Sequence, residues 1–244
     1  MSRVTFSASP SQAQLSSLLE HYQNRRYEDA EKLAIHITEQ FPHHQFSWKV
    51  LGAVLKQTGR VSEALVANTR TVELDVQDAE AHYNLGNTMQ ELGRLEEAKA
   101  SYRQAIAIKL DYAKAYSDLG NTLKKLGNLG EAEASYRQAI ALKPHFAGAH
   151  YNLGVTLKEL GRVEDSEASY RQAITLQPNY AEAHNNLGVT LKELGKLGDA
   201  ETSYRQAIAM KPDYAEAHNN LGITLKELGR LEEAEASYRK AIAL

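Results

Sequence analysis

The sequence contains no cysteine, which excludes disulfides, a thiolate nucleophile and cysteine-ligated metal. It has no excess of either charge. Lys and Arg total 28 against 31 Asp and Glu, a formal net charge of −3. The electrostatic footprint of a nucleic-acid-binding protein is therefore missing, and no nucleic acid is expected as a partner. No apolar run approaches the ~18–20 residues of a membrane span, so membrane insertion is not expected. Residues 1–10 lack the basic-then-apolar pattern of a secretory signal and read as a short disordered leader. These absences fit a cytoplasmic protein. Prolines (five) and phenylalanines (four) are few, whereas glycines (15) and tyrosines (13) are many, and their spacing accounts for them.

Leu-Gly recurs at Leu51-Gly52, Leu85-Gly86, Leu119-Gly120, Leu153-Gly154, Leu187-Gly188 and Leu221-Gly222, always 34 residues apart. A second glycine follows at Gly59, Gly93, Gly127, Gly161, Gly195 and Gly229. Alanine then follows at Ala64, Ala98, Ala132, Ala200 and Ala234, with Ser166 in the fifth place. A fixed period of this size decides the architecture before any other signal. The repeats run 11–44, 45–78, 79–112, 113–146, 147–180, 181–214 and 215–244. The first is degenerate but in phase, with Ala30 and Pro42 in the places of Ala132 and Pro144. The last two differ at only seven of 30 shared positions, which points to duplication or to selection for one repeated surface.

Each repeat reads as two helices, A and B. In the third, helix A is expected over 80–92, with Ala81, Leu85 and Met89 on one face. Gly93 supplies a left-handed stop. Helix B is expected over 95–108, with Leu95, Ala98, Tyr102, Ala105 and Ile106 on its stripe. Lys143-Pro144, Gln177-Pro178 and Lys211-Pro212 end later B helices, and Asn179 and Asp213 stand where N-caps of the next A helices belong. Gly86 and Ala98 are expected on facing sides of their helices, where small residues permit close approach. Glu133/Arg137, Glu167/Arg171, Glu201/Arg205 and Glu235/Arg239 form i, i+4 pairs on a solvated face, a pattern that Lys99/Arg103 breaks.

The period, the Leu-Gly, Gly and Ala places, Trp48 in the early aromatic place and the late prolines resemble the tetratricopeptide repeat family over residues 11–244. That resemblance implies an all-α, right-handed superhelical solenoid of seven 34-residue helix-turn-helix repeats with helices A lining a concave groove. It also implies a scaffold or adaptor that binds a protein or peptide partner.

The sixth position of the repeats reads Ser16, Val50, Asn84, Asp118, Asn152, Asn186 and Asn220. An asparagine amide offers a donor and an acceptor at once, so an inward-facing column can hold an extended backbone regardless of its side chains. Asn87 and Asn121, three residues further on, extend the polar surface. His-Tyr-Asn-Leu-Gly (82–86, 150–154) and His-Asn-Asn-Leu-Gly (184–188, 218–222) resemble the repeats of protein O-GlcNAc transferases. In that family an asparagine ladder grips substrate chains, which by resemblance implicates Asn84, Asn152, Asn186 and Asn220; Asp118 interrupts the ladder. Lys56, Lys124, Lys158, Lys192 and Lys226 share another place, with Glu91, Glu159, Glu193 and Glu227 mostly filling the next. The lysines either attract acidic partner segments or are neutralised by the glutamates.

A carboxylate clamp for chaperone tails is not expected. Lys49, Asn84 and Lys114 fit its pattern, but Ala53 and Asp118 do not. His82, His150, His184 and His218 stand one period apart, too far to converge on one metal ion, and read as packing residues. His43-His44 has no acidic or cysteine neighbour in sequence to make a metal site. The sequence holds no Gly-rich phosphate loop, nucleophile elbow or His-Glu-x-x-His, so neither enzymatic activity nor a metal or cofactor is expected. The tyrosines at 102, 136, 170, 204 and 238 belong to the buried stripe of helix B. The sequence ends at Leu244 without a polar capping helix, as a break inside a longer array would. Two alternatives follow: the arm of a larger glycosyltransferase- or sulfotransferase-type enzyme, or a homo-oligomer through terminal repeats, with Ala241, Ile242 and Leu244 open to another copy.

Overall fold

The computed structural model describes residues 9–244. Residues 1–8 of the expected leader lie outside the described residues; Pro10 is buried just before the first helix. Fourteen α-helices and no strand occur among the described residues. The chain divides into two compact units, Met1–Thr122 and Leu123–Leu244. The first holds α1 (Gln12–Gln23), α2 (Tyr27–Gln40), α3 (Gln45–Gln57), α4 (Val61–Leu74), α5 (Ala79–Glu91), α6 (Leu95–Ile108) and most of α7 (Ala113–Lys125). The second holds α8 (Leu129–Leu142), α9 (Ala147–Glu159), α10 (Val163–Leu176), α11 (Ala181–Glu193), α12 (Leu197–Met210), α13 (Ala215–Glu227) and α14 (Leu231–Ile242).

The turn inside each repeat follows from its glycine. Gly93 has φ +73°, a conformation that costs an L side chain energy. It lets the Gly93 N–H reach the carbonyl of Gln90 (3.0 Å) and the Arg94 N–H reach that of Met89 (2.8 Å). This is a Schellman closure, and it satisfies carbonyls that the helix end leaves open. The degenerate first repeat makes the same two bonds with Arg25 in the glycine's place, at φ +58°.

Packing within a repeat pairs a glycine with a tyrosine. A methyl group built on Gly86 would lie 2.8 Å from the ring of Tyr102. The corresponding distances in the second compact unit are 2.8 Å for Gly154 and Tyr170, 2.6 Å for Gly188 and Tyr204, and 2.7 Å for Gly222 and Tyr238. Tyr102, Tyr136, Tyr170 and Tyr204 are fully buried, while Tyr238 is half-buried. The small residue on helix B also faces the glycine. Where Ser166 replaces alanine, its hydroxyl donates to the carbonyl of Gly154 at 2.8 Å. In the first repeat the sizes are exchanged: Leu18 takes the glycine's place, Ala34 takes the tyrosine's, and both are fully buried. Volume is conserved, which is why the degenerate repeat still packs.

One expectation about caps is corrected. Asn179 and Asp213 lie one residue outside the N-cap positions, which are Tyr180 and Tyr214 and carry no side-chain cap bond. The tyrosine ring holds that place because it packs: Tyr180 lies 4.8 Å from Tyr151, and Lys211 Nζ lies 5.0 Å above the ring of Tyr214. Polar capping occurs instead at Asp78, whose Oδ1 accepts from the N–H groups of Glu80 (2.9 Å) and Ala81 (3.0 Å).

The four i, i+4 pairs form at 2.6–2.9 Å. Three of their glutamates also reach the next repeat. Glu133 meets Arg162 (2.5 Å), Glu167 meets Lys196 (2.7 Å) and Glu201 meets Arg230 (2.6 Å). Lys99, which breaks the pattern, pairs with Glu96.

Candidate functional site

At the sixth position Ser16 is exposed and Val50 buried, whereas Asn84, Asp118, Asn152, Asn186 and Asn220 are half-buried on the A helices, and neighbouring repeats use three of them. In the first compact unit, the Tyr83 hydroxyl donates to Asp118 Oδ2 at 2.7 Å. In the second, Asn186 Nδ2 donates to the Tyr151 hydroxyl (3.0 Å) and Asn220 Nδ2 donates to Asn185 Oδ1 (3.2 Å). Each bond joins the fifth position of one repeat to the sixth of the next. One contact does not exhaust an amide with two donors and an acceptor. The main-chain carbonyls of the same residues are satisfied twice over within their own helices. Thr88, Thr122, Thr156, Thr190 and Thr224, all fully buried, donate to the carbonyls of Asn84, Asp118, Asn152, Asn186 and Asn220 at 2.8–3.0 Å.

Asn87 and Asn121 serve internal contacts. Asn87 Oδ1 lies 2.8 Å from the Tyr102 hydroxyl, and Asn121 Nδ2 donates to Asp118 Oδ1 at 3.2 Å. Burial pushes the Asp118 carboxyl above the usual carboxylate range, although Tyr83, Asn121 and the charges of Lys56 and Lys114 pull it down. Burial also raises the phenol of Tyr112, to about 12, helped by Glu80 and Asp78.

The lysine column is paired along its length with the glutamate column of the following repeat. The distances are 3.4 Å for Lys56–Glu91, 3.6 Å for Lys124–Glu159, 3.9 Å for Lys158–Glu193 and 3.1 Å for Lys192–Glu227. These pairs are part-exposed and contribute little to stability. Lys226 makes no ion pair among the described residues. Lys49 is engaged by Asp78 at 3.0 Å and Glu80 at 2.6 Å. Burial opposes its charge, but the two carboxylates outweigh burial and raise its pKa.

The histidine column has a role beyond packing. Nε2 of His82 lies 3.0 Å from the carbonyl of Val76, and Nε2 of His150, His184 and His218 lies 3.0 Å from those of Pro144, Pro178 and Pro212. A carbonyl only accepts, so Nε2 carries the proton. Trp48 Nε1 donates to the carbonyl of Pro42 at the same 3.0 Å. Indole and imidazole thus fasten the loop before helix A in the same way. The shared ring N–H of Trp48 and the four histidines was a sequence signal for this bond. His44 Nδ1 lies 2.8 Å from Ser47 Oγ, and burial lowers its pKa. Among the described residues, no group of three or more His, Cys, Asp or Glu is placed to hold a metal ion. No helix among them is long and apolar enough to cross a membrane.

Family profiles for the tetratricopeptide repeat match residues 91–127, 120–161, 156–195 and 185–244, together more than half of the chain. The chain belongs to the tetratricopeptide repeat family. Solved structures resemble it over most of its length. YrrB, described as a TPR protein with an unusual peptide-binding site, is 26% identical with a TM-score of 0.63, over 72% of this chain and 91% of that one. PilF of Pseudomonas aeruginosa is 19% identical with a TM-score of 0.71, over 79% and 88%. A tetratricopeptide repeat protein of Parabacteroides merdae is 16% identical with a TM-score of 0.71, over 95% and 92%. No curated protein matches the sequence.

Proposed function

We propose that the chain is a non-catalytic scaffold that holds an extended polypeptide against its A helices, with Asn84, Asp118, Asn152, Asn186 and Asn220 gripping the backbone. The observation that carries this reading is the column of sixth-position side chains, half-buried on the A helices and, at Asn186 and Asn220, oriented by the neighbouring repeat through Tyr151 and Asn185. Side chains positioned in this way lose little further entropy on binding a peptide group. The peptide-binding site named for YrrB supports it, as does the resemblance of the His-Tyr-Asn-Leu-Gly motifs to O-GlcNAc transferase repeats. Asn87 and Asn121 act as supports in this reading, because they hold Tyr102 and Asp118. Lys124, Lys158 and Lys192 flank the groove together with their glutamate partners, which leaves Lys226 as the lysine of this column that favours an acidic flanking segment. Each repeat, bounded as at 11–44 to 215–244, supplies its own stretch of this surface within its compact unit, and the setting in this reading is cytoplasmic.

The test is capture from a proteome-derived peptide library by wild type and by an Asn152→Ala/Asn186→Ala/Asn220→Ala variant. Wild type is expected to enrich extended peptides that the variant loses while staying helical. Equal capture by both, or none by either, overturns the reading. A second reading, association of copies, draws on exposed Leu231, Ile242 and Leu244. A monomer mass in light scattering across a concentration series would exclude it.

A further inference from the structure

Along α11, Glu182, Asn186 and Val189 follow one another at i, i+4 and i+7, which places them on one face of the helix. Along α13 the same face carries Glu216, Asn220 and Ile223, and along α9 it carries Gly148, Asn152 and Val155. The bonds from Asn186 to Tyr151 and from Asn220 to Asn185 set these helices side by side. The face therefore has three columns: acids at the second position, amides at the sixth and aliphatic residues at the ninth. They stand about 6 and 4.5 Å apart along a helix axis. The amides and aliphatic residues are half-buried, and both acids are exposed.

The ninth position differs between the two compact units. In the first it is Asn87 and Asn121, and Asn87 Oδ1 accepts from the Tyr102 hydroxyl at 2.8 Å. In the sixth repeat Val189 takes that place, packed on the same cluster as Tyr204. The fully buried Tyr204 hydroxyl has no hydrogen-bond partner among the described residues. The aliphatic residue thus costs the fold a hydrogen bond. A local choice that works against internal packing is expected at a functional surface.

The second position differs as well. Glu80 of the first unit is neutralised by Lys49 Nζ at 2.6 Å, from the fifth position of the preceding repeat. In the second unit the fifth positions that precede Glu182 and Glu216 hold Tyr151 and Asn185, which bring no positive charge. Neither acid forms an ion pair among the described residues; Glu216 accepts from Asn185 Nδ2 at 3.0 Å. Burial pushes the Tyr214 phenol up to about 12, and the charges of Glu216 and Glu182 add to it, so both carboxylates bear on one ring. A cation is missing where the first unit supplies its own.

We propose that the second compact unit selects an extended peptide segment with basic side chains along one edge and aliphatic side chains along the other. Its backbone lies on Asn152, Asn186 and Asn220, across the three helices. Side chains of an extended chain point alternately to opposite sides. One set meets Val155, Val189 and Ile223, and the other reaches Glu182 and Glu216 and supplies the missing cation. Three helices at ~8–10 Å spacing cover about 16–20 Å, or roughly five to six extended residues. Lys226 lies beyond the aliphatic column on α13, which keeps the basic edge on the side of the acids. The inference rests on the groove-binding reading above and adds the side-chain chemistry of the partner.

Fluorescence anisotropy with three pools of nine-residue peptides tests it. The first pool alternates Lys or Arg with Val, Ile or Leu. The second alternates Asp or Glu with the same aliphatic residues, and the third alternates Lys or Arg with Ser, Asn or Gln. The proteins are wild type, Glu182→Gln/Glu216→Gln, Val155→Asn/Val189→Asn/Ile223→Asn and Asn152→Ala/Asn186→Ala/Asn220→Ala, with helicity checked by circular dichroism. Glutamine keeps the acceptor for Asn185, and asparagine restores the residue that the first unit carries at Asn87 and Asn121. Wild type is expected to bind the first pool at least about tenfold more tightly than either other pool. The glutamine variant should lose the preference over the second pool, and the ninth-position variant the preference over the third. A preference that persists in its folded matching variant overturns the proposal, and if one variant misfolds the other decides. Equal binding of all pools by wild type also overturns it. Groove binding then stands if the alanine variant loses that binding, and falls with the proposal if the variant keeps it or if no pool binds.

Discussion

The Tyr83 hydroxyl donates to Asp118 Oδ2 at 2.7 Å, which ties the fifth position of one repeat to the sixth of the next. Asp118 is the one acid in a column otherwise rich in asparagine, and burial raises its pKa above the ordinary 3.8. The folded state therefore holds that proton more tightly than the unfolded state. Its favourable contribution is complete below the unfolded pKa and is lost as pH rises through the folded value. Asp118→Asn keeps an acceptor for Tyr83 and removes the buried charge. Tm at neutral pH should rise by about 2–4 °C, and the gain should vanish below about pH 4. Thermal melts of both proteins across pH 3–8 check this; a constant difference would exclude titration of Asp118 as the cause.

Trp48 and the histidines one or more periods later make the same bond to a carbonyl six residues back. Trp48→His should therefore be nearly neutral, because imidazole Nε2–H replaces indole N–H. Trp48→Phe keeps an aromatic ring without the donor and should cost about 0.5–1.5 kcal/mol. Urea denaturation monitored by circular dichroism distinguishes the two; equal losses would mean that ring size, rather than the hydrogen bond, governs the position.

Arg25 closes its turn at φ +58°, where every later repeat has glycine. A left-handed conformation costs an L residue roughly 1–2 kcal/mol, and the greater freedom of unfolded glycine returns part of any gain. Arg25→Gly should stabilise the first repeat by about 0.5–1 kcal/mol. Slower hydrogen exchange of the α1 and α2 amides is the expected readout, with no change expected in α12–α14.

A methyl group on Gly188 would approach the Tyr204 ring to 2.6 Å, and that ring is fully buried. Gly188→Ala should therefore cost about 1–3 kcal/mol, despite alanine's better helix propensity. Gly188→Ala/Tyr204→Leu should recover part of the loss, because a branched aliphatic chain yields where a rigid ring cannot. A double-mutant cycle in urea measures the coupling; simple additivity would show that the two positions do not press on each other.

Much of this architecture was legible in the sequence. For the third repeat, helix limits expected at 80–92 and 95–108 compare with Ala79–Glu91 and Leu95–Ile108. Period, glycine stops and prolines act locally, so they can be read from one strip of chain. The cap assignment failed at Asn179 and Asp213 because a tyrosine's packing across the turn outweighs a polar cap. The histidine column was read as packing, although Trp48 in the same place already shared its ring N–H. The different packing over Gly52 had a signal too: a tyrosine at 102, 136, 170, 204 and 238, and asparagine at 68.

The sequence by itself determined the repeat, its helices, its turns and the columns of like residues, because each depends on contacts within about one period. Only the tertiary structure decided which columns touch. Asn186 with Tyr151, Asn220 with Asn185 and Lys192 with Glu227 meet about one repeat apart, through the stacking of one repeat on the next. Hydrogen bonds require angstrom-level approach, and a spacing in sequence carries no distance. The packing of the Asn68 amide over Gly52 likewise depends on how two helices fill the volume between them, a quantity that no single position records.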